Sequence, residues 1–153
     1  MTPSEVPATP PSPPAAGPVV ETPGPAVEAA ADRALPIRLE LPAGLVGLPA
    51  LRRFRVRPLD GDALVELVCL DDRSFAAVAA RLSVVAPEHL DRLVELGLVG
   101  SDDLVLVLLA AHGDPPAVTV NLAGPIVVEA TGRARQLVVE DPAFPVRAPL
   151  GRV

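Results

Sequence analysis

Apolar and polar residues alternate in several short runs along the second part of the chain. "IRLEL" at 37–41 and "FRVR" at 54–57 place an apolar residue at every second position, which is the period of a half-buried strand. Proline and glycine follow each run. "LVELVCL" at 64–70 and "LVLVLLAA" at 104–111 are more continuously apolar and predict buried, central strands. The pattern therefore predicts a sheet of short strands.

One segment has the spacing of a helix. In "PEHLDRLVELGL", Pro87 stands at a suitable first helical position, Leu90, Leu93 and Val94 follow at helical spacing, and Gly97 is a plausible stop. These features predict a short helix of about three turns. The preceding "SFAAVAARLSVVAP" fits either structure, because its alanines favour a helix whereas its valines and phenylalanine favour a strand.

The C-terminal third predicts a strand, an interruption and a hairpin. "AVTVNL" continues the strand pattern after the breakers "HGDPP", and Pro125 then interrupts it, which implies a sheet edge, a bulge or a corner. "IVVEA" and "RARQLVVE" lie on either side of a turn at 131–132 and predict a hairpin. Many short strands with one short helix predict a mainly β fold, a small antiparallel barrel-like domain.

The first 34 residues differ from the rest in composition. Of the 20 prolines, 9 precede Ala34, and this region has no apolar periodicity. Such a segment cannot bury enough surface to offset the entropy of ordering it. We therefore predict a disordered Pro/Ala-rich tail over residues 1–34 and a folded β domain over 35–153. A proline-rich ligand motif is the functional alternative for the tail.

Charge and hydropathy limit the classes of partner. The 13 basic residues are all arginine and are scattered along the sequence, whereas Asp and Glu number 19, for a net charge of −6. A nucleic-acid binder usually carries a basic stripe, so we expect no direct nucleic-acid partner and instead a protein partner. No apolar run reaches the ~18 residues of a membrane span, and no secretory signal is evident. We therefore expect no membrane association and a cytoplasmic location.

Few residues offer catalytic or metal-binding chemistry. The single cysteine, Cys69, excludes an internal disulfide and predicts a small buried side chain. His89, expected to face solvent, and His112, expected in a turn, lack metal-ligand spacing. The acidic pairs at 71–72 and 102–103 are interpreted as solvated turns or helix starts. We expect no enzyme, metal or cofactor, and a small acidic hydrolase is the weaker hypothesis.

Three residues depart from a composition dominated by Ala, Val, Leu and Arg. Asn121 and Gln136 are the only asparagine and glutamine, and Ile126 is one of two isoleucines. Their proximity indicates that this segment has a requirement the common residues do not meet. Asn121 has two interpretations: its amide satisfies backbone groups where Pro125 breaks the strand, or it contacts a partner.

The same segment carries a family signature. "VTVNLAGPIVVEATGRARQLVVED" at 118–141 resembles the C-terminal signature of the flagellar assembly factor (FliW) family. That signature is T-V-N-L-x-A/G-P-I, then a hairpin with Arg or Gly in its turn, then Gln before an apolar strand. The closing "FPVRAPL" is also similar, with Phe144 in place of a tyrosine. The matching residues are Thr119, Val120, Asn121, Leu122, Pro125, Ile126, Gly132 and Gln136.

The upstream half is less similar, and the resemblance extends over about 35–150. "LPAGLVGL" at 41–48 resembles the family's F-x-x-G-L-P-G-F, with Gly44, Leu45 and Gly47 matching and a valine in place of the proline. Phe54 stands where the family begins a strand with an aromatic residue. Phe75 is the nearest aromatic in the region that resembles the next conserved family segment.

The resemblance implies a regulator without enzymatic activity on a small barrel of antiparallel strands. Family members bind the translational repressor CsrA, relieving its repression of flagellin messenger RNA, and they bind newly made flagellin, so that flagellin synthesis follows export. Because most upstream aromatics are replaced, the alternative is a FliW-like domain that has lost flagellin binding and regulates CsrA or another protein only.

The resemblance also nominates candidate partner-binding residues. An acidic protein docked beside CsrA would repel RNA phosphates, so we expect Glu66, Asp71 and Asp72 to contribute to that field; ordinary solubilising charge is the alternative interpretation for each. The family-motif candidates are Gly44, Leu45, Gly47, Phe54, Phe75, Thr119, Asn121, Pro125, Ile126 and Gln136.

Overall fold

The computed structural model describes residues 34–59, 61 and 63–150. The predicted tail lies almost entirely outside these residues, so its boundary near residue 34 stays a prediction. Within the described residues the chain forms nine strands and two helices. The strands are β1 (Arg38–Glu40), β2 (Arg53–Pro58), β3 (Leu64–Cys69), β4 (Ala76–Arg81), β5 (Leu104–His112), β6 (Ala117–Val120), β7 (Ile126–Val128), β8 (Ala134–Gln136) and β9 (Ala148–Pro149). The helices are α1 (Leu82–Val85) and α2 (Pro87–Glu95).

The first five strands form an antiparallel sheet in chain order. Successive side chains of β1 and β2 point to opposite faces of the sheet. Leu39, Phe54 and Val56 are buried on the inner face, while the arginines next to them are exposed on the outer face. β7 then pairs with the free edge of β5, and β8 pairs with β7. This arrangement confirms the predicted mainly β, antiparallel, barrel-like class.

The barrel is nearly closed where the β7–β8 turn reaches β1. The backbone N–H of Glu40 donates to the carbonyl of Gly132 at 2.9 Å, and Glu40 forms an isolated bridge with Arg133. Gly132 has φ +91°, and a Cβ placed there would lie 2.6 Å from the carbonyl oxygen of Arg38. Glycine is therefore required at this junction for both conformation and space.

Strand β5 pairs with β7 along its first residues and with β6 along its last. Leu106 pairs with Ile126 and Leu109 with Val120. Leu106 and Leu109 are three positions apart on β5, whereas their partners Val120 and Ile126 are six positions apart. The chain between β6 and β7 therefore contains three extra residues. We call residues 121–125 the excursion. It is the interruption that Pro125 predicted, and it takes the form of a large bulge.

Two apolar clusters lie on opposite faces of β5. Leu104 and Leu106 face the barrel interior, together with Phe54, Leu67 and Ile126. The intervening β5 side chains face the second cluster, which packs beneath helix α2. Burial on both faces explains why this strand is a continuous apolar run, as predicted. Cys69, also as predicted, is fully buried.

The predicted helix is confirmed as α2, with Pro87 in its first turn. The ambiguous segment before it divides into strand β4 and the four-residue helix α1, so the described residues form two helices rather than the one predicted. Ala79 and Ala80 are fully buried in β4 between two neighbouring strands. Their small side chains suit that packing, and tertiary burial outweighs the helical preference of alanine here.

Three local predictions need correction. His112 ends strand β5 instead of lying in a turn. The second arm of the hairpin ends at Gln136, because the next N–H groups donate to the excursion instead of extending the ladder. His89 does not face solvent: its Nε2 lies 2.9 Å from the carbonyl oxygen of Ala143, and its ring meets that of Phe144 edge-on. Neither helix in the described part is long and apolar enough to cross a bilayer.

Candidate functional site

The excursion is held by backbone bonds to three separate parts of the chain. The N–H of Asn121 donates to the carbonyl of Leu108 on β5 at 2.9 Å, and the N–H of Leu122 donates to Pro145 at 3.0 Å. The carbonyl groups of Ala123 and Pro125 accept from the segment after β8, each at 2.8 Å. These bonds satisfy backbone groups that an interrupted ladder would otherwise leave unpaired.

The Asn121 side chain closes the bulge from within. Its Oδ1 accepts from the backbone N–H of Ala123 at 3.1 Å, an Asx-type turn that asparagine favours. No hydrogen bond within the described residues engages its Nδ2 group. One half of the amide therefore serves the fold, and the other half is available to a partner.

The Gln136 side chain joins the excursion to a distant loop. Its Oε1 accepts from the backbone N–H of Val46 at 2.8 Å, and its Nε2 donates to the carbonyl of Gly124 at 2.9 Å. A Cβ on Gly124 would lie 2.8 Å from Gln136 Nε2 and 2.9 Å from Asn121 Nδ2. The two rare amides thus meet over a glycine that leaves room for both.

A groove of about 270 Å³ opens over these two amides, and we call it the amide groove. Its walls are apolar, and several of them are exposed: Val138 is 63% and Val146 61% accessible. Such a contiguous exposed apolar surface around a few polar groups is typical of an interaction site. The groove is lined by Leu45, Val46, Leu48, Phe75, Leu108, Asn121, Ala123, Gly124, Gln136, Leu137, Val138 and Val146.

The structure brings together four of the ten family-motif candidates. Leu45, Phe75, Asn121 and Gln136 line the amide groove although they come from three separate stretches of the chain. Their convergence is the reason to regard this groove, rather than any single motif, as the candidate site.

The two candidate glycines shape the loop that forms one wall of the groove. Gly44 and Gly47 both have positive φ, at +76° and +82°. A Cβ on Gly44 would lie 2.4 Å from the carbonyl oxygen of Pro49, whereas nothing approaches Gly47 within 4 Å. They act on the groove by positioning Leu45 and Val46.

The remaining motif candidates have structural positions. Phe54 is fully buried beneath Phe75, with ring centroids 6.3 Å apart in an edge-on arrangement. Ile126 is fully buried in β7. Thr119 pairs across to β9, and Pro125 is buried within the excursion.

The acidic candidates lie apart from the amide groove, and two of them are ion-paired. Glu66 pairs with Arg57, and Asp71 Oδ1 lies 2.9 Å from Arg53 Nη2. The backbone N–H groups of Arg52 and Arg53, followed by the Arg53 side chain, hold the pKa of Asp71 below its usual range.

Asp72 stabilises the turn that follows. Its Oδ1 accepts from the hydroxyl of Ser74 at 2.6 Å and from the Ser74 backbone N–H at 3.0 Å. Both bonds lower the pKa of Asp72. The role of the three acids in an electrostatic field stays a prediction.

The amide groove suits binding rather than covalent chemistry. It contains no titratable side chain; its polar groups are amides and backbone. Elsewhere in the described ranges, no group of three or more His, Cys, Asp or Glu residues has the proximity to hold a metal ion.

The sequence interpretation missed the apolar wall. Val46, Leu48, Val138 and Val146 are ordinary residues in a Val/Leu-rich chain, and no local pattern separates them from core residues. Their one detectable signal was position: all four lie inside segments that resemble the family, at 41–48, 118–141 and 144–150.

Comparison with known proteins gives consistent matches. The family model described as FliW protein matches residues 26–150. The flagellar assembly factor FliW 2 of Desulfotalea psychrophila is 31% identical over 122 residues, covering 75% of this chain and 81% of that protein. The flagellar assembly factor FliW of Symbiobacterium thermophilum is 34% identical over 125 residues, covering 72% and 87%.

The fold also matches a solved structure. A crystal structure of the flagellar assembly factor FliW superposes with a TM-score of 0.58 at 17% identity, covering 76% of this chain and 86% of that one. At this identity the likeness concerns the fold alone.

Proposed function

Because this chain belongs to the FliW family of flagellar assembly factors, we propose that it is a cytoplasmic, non-enzymatic regulator that acts by binding CsrA and flagellin. Binding to CsrA relieves repression of flagellin translation, and binding to newly made flagellin removes the regulator from CsrA. The observation that carries the proposal is the amide groove, where Leu45, Phe75, Asn121 and Gln136 meet around exposed apolar side chains.

The groove has the composition of a docking site for a protein. Apolar walls exclude water, and the Nδ2 of Asn121, which has no hydrogen bond to the described residues, can donate to a carbonyl of the partner. An acceptor of the partner buried against that donor contributes specificity, because a partner without one would leave the amide desolvated and unpaired.

Direct binding measurements test the proposal. We expect the purified chain to bind both CsrA and flagellin by titration calorimetry, with flagellin displacing CsrA. Val138→Asp puts a charge on the apolar wall and should weaken binding at the groove by at least about tenfold. Val84→Asp is the matched control, since Val84 is 53% exposed on α1 and does not line the groove. Binding to neither protein would refute the proposal.

A second candidate function is supported by a specific feature of the upstream loop. Leu48 stands where the resemblance expects phenylalanine, so the groove wall presents less aromatic surface. In this alternative the chain binds CsrA, or another protein, and no longer binds flagellin. The same titrations distinguish the two, because only the first function requires a measurable complex with flagellin.

The acidic candidates require a separate test. If Glu66, Asp71 and Asp72 help to repel RNA from bound CsrA, a triple change to Gln, Asn and Asn should leave CsrA binding intact and slow the release of CsrA from flagellin RNA. Circular dichroism must first show that the variant folds, since Glu66 and Asp71 hold ion pairs. Unchanged release would assign these acids to solubility alone.

A further inference from the structure

The outer face of β1 and β2 carries a concentration of arginine. Arg53, Arg55 and Arg57 alternate along β2 and all point outward. Arg38 on β1 is directly opposite Arg55 in the antiparallel register. Arginines of two separate segments are thus gathered on one surface of a protein whose net charge is −6.

Only part of this charge is compensated within the chain. Arg53 pairs with Asp71, and Arg57 pairs with Glu66. Among the described residues, no ion pair engages the side chains of Arg38, Arg55 or Arg133.

The register between β1 and β2 places like charges opposite each other. Side chains directly opposite in an antiparallel pair have their Cβ atoms about 5 Å apart, and like charges there are destabilising. Arg38 and Arg55 are in this relation. A bound anion would relieve the repulsion.

A groove of about 640 Å³ lies beside this pair, at the junction where the barrel closes. Arg38, Arg53 and Arg133 contribute its positive charge. Glu40 and Glu129 line the same groove, so its charge is mixed and not uniformly basic. It shares no lining residue with the amide groove.

We propose that this arginine face is a second docking site, which binds an extended acidic segment of a partner protein through Arg38, Arg55 and Arg133. Arg38 and Arg55 stand directly opposite each other on adjacent strands, and Arg133 lines the same groove as Arg38, so the three cations adjoin. Same-face side chains of an extended segment repeat about every 7 Å, so a segment whose carboxylates are separated by uncharged residues can set its charges at the arginines and its uncharged side chains at Glu40 and Glu129. A nucleic-acid backbone carries charge at every phosphate and would be repelled by the two glutamates. The inference goes beyond the proposed function, which concerns the amide groove.

A charge-matched peptide pair provides the test. The probe is a fluorescent peptide of alternating Glu and Thr, and its control is the same peptide with Gln in place of Glu. Fluorescence anisotropy should show that the full chain binds the Glu peptide and not the Gln peptide, with affinity falling as salt is raised. Arg38→Gln with Arg55→Gln should weaken binding by at least about tenfold. Arg92→Gln with Arg147→Gln, at exposed positions off this face, removes equal charge and should bind as the unmodified chain does.

Several results would overturn the proposal. They are failure of the unmodified chain to bind the Glu peptide, equal loss in the two double variants, or tighter binding of a single-stranded RNA through the same arginines. If the Glu peptide binds only after Glu21, Glu28 and Asp32 are changed to amides, the chain's own N-terminal carboxylates, and not a partner protein, would be the ligand of the arginine face. Thermal melting verifies that each variant folds. Titration with CsrA reports on the amide groove, so a variant that loses only the Glu peptide tests the arginine face and not the proposed function.

Discussion

At the residue scale, Asn121 has a role in the fold and an atom available to a partner. Its Oδ1 accepts from the N–H of Ala123 within the excursion, while its Nδ2 has no hydrogen bond to the described residues, and the residue lines the amide groove. The two interpretations that the sequence left open therefore apply to different atoms of one side chain, and a substitution that changes one atom can separate them.

Asn121→Asp retains the acceptor oxygen and replaces the free donor. We expect its unfolding free energy to stay within about 1 kcal/mol of the unmodified protein, because the bond to Ala123 persists. Partner binding should weaken by about tenfold, because a carboxylate cannot donate to a partner carbonyl. Asn121→Ala should instead lower stability by about 1–3 kcal/mol. Urea unfolding and calorimetry measure the two effects, and full partner binding by Asn121→Asp would contradict the assignment.

Asp71 leads to a prediction about how the stability of the protein depends on pH. Its pKa is lowered in the folded state, so its contribution to stability is fully present above the unfolded value of about 3.9 and is lost as pH falls through the folded value. Asp71→Asn should therefore melt below the unmodified protein at neutral pH, and the difference should shrink between about pH 5 and about pH 2. Glu140→Gln, at an exposed carboxylate without a hydrogen bond to the described residues, controls for loss of charge. A difference independent of pH would contradict this role.

Composition identified the important polar residues but not their contacts. Asn121 and Gln136 were singled out because each is the only residue of its type. The bond from Gln136 to Val46 spans 90 positions, and no local pattern reports on a pairing at that separation. Similarly, the partners of Asp71 depend on how β2 and the turn after β3 meet.

At the scale of elements, short-range patterns predicted strands well where one face is buried. The alternation in β1 and β2 and the continuous apolar run in β5 correspond to their burial. The segment at 76–86 was undecided because alanine favours a helix, while its neighbours in the sheet require small side chains. The arm after Gln136 was predicted as strand because its residues favour strand, but its N–H groups bind the excursion.

The last segment of the chain is attached to helix α2 through His89. Its Nε2 donates to Ala143, and its ring packs on Phe144 with centroids 5.0 Å apart. His89→Ala should lower the unfolding free energy by about 1–3 kcal/mol through loss of both contacts. It should also speed hydrogen exchange at the N–H of Leu122, which donates to Pro145. Glu95→Ala, on the same helix and 68% exposed, is the control, and unchanged exchange at Leu122 in His89→Ala would count against the attachment.

At the scale of the molecule, closure of the barrel forms both candidate surfaces. The turn that carries Gly132 and Arg133 meets β1 and forms the groove beside Arg38, and the strand that leaves this turn ends in Gln136, over which the amide groove opens. The antiparallel barrel class follows from strand number and turn spacing. The placement of Arg38 opposite Arg55 does not, because it depends on the register between β1 and β2.

Gly132→Ala tests closure directly. A Cβ there would lie 2.6 Å from the carbonyl oxygen of Arg38, and φ is +91°, so strain and overlap should together lower stability by at least about 2 kcal/mol. Gly97→Ala is the matched control, because Gly97 has φ +74° and nothing within 4 Å; its loss should be about 1 kcal/mol. Hydrogen exchange at Glu40, whose N–H donates to Gly132, should accelerate only in the first variant. Equal losses in the two variants would mean that the close approach to β1 does not hold the barrel closed.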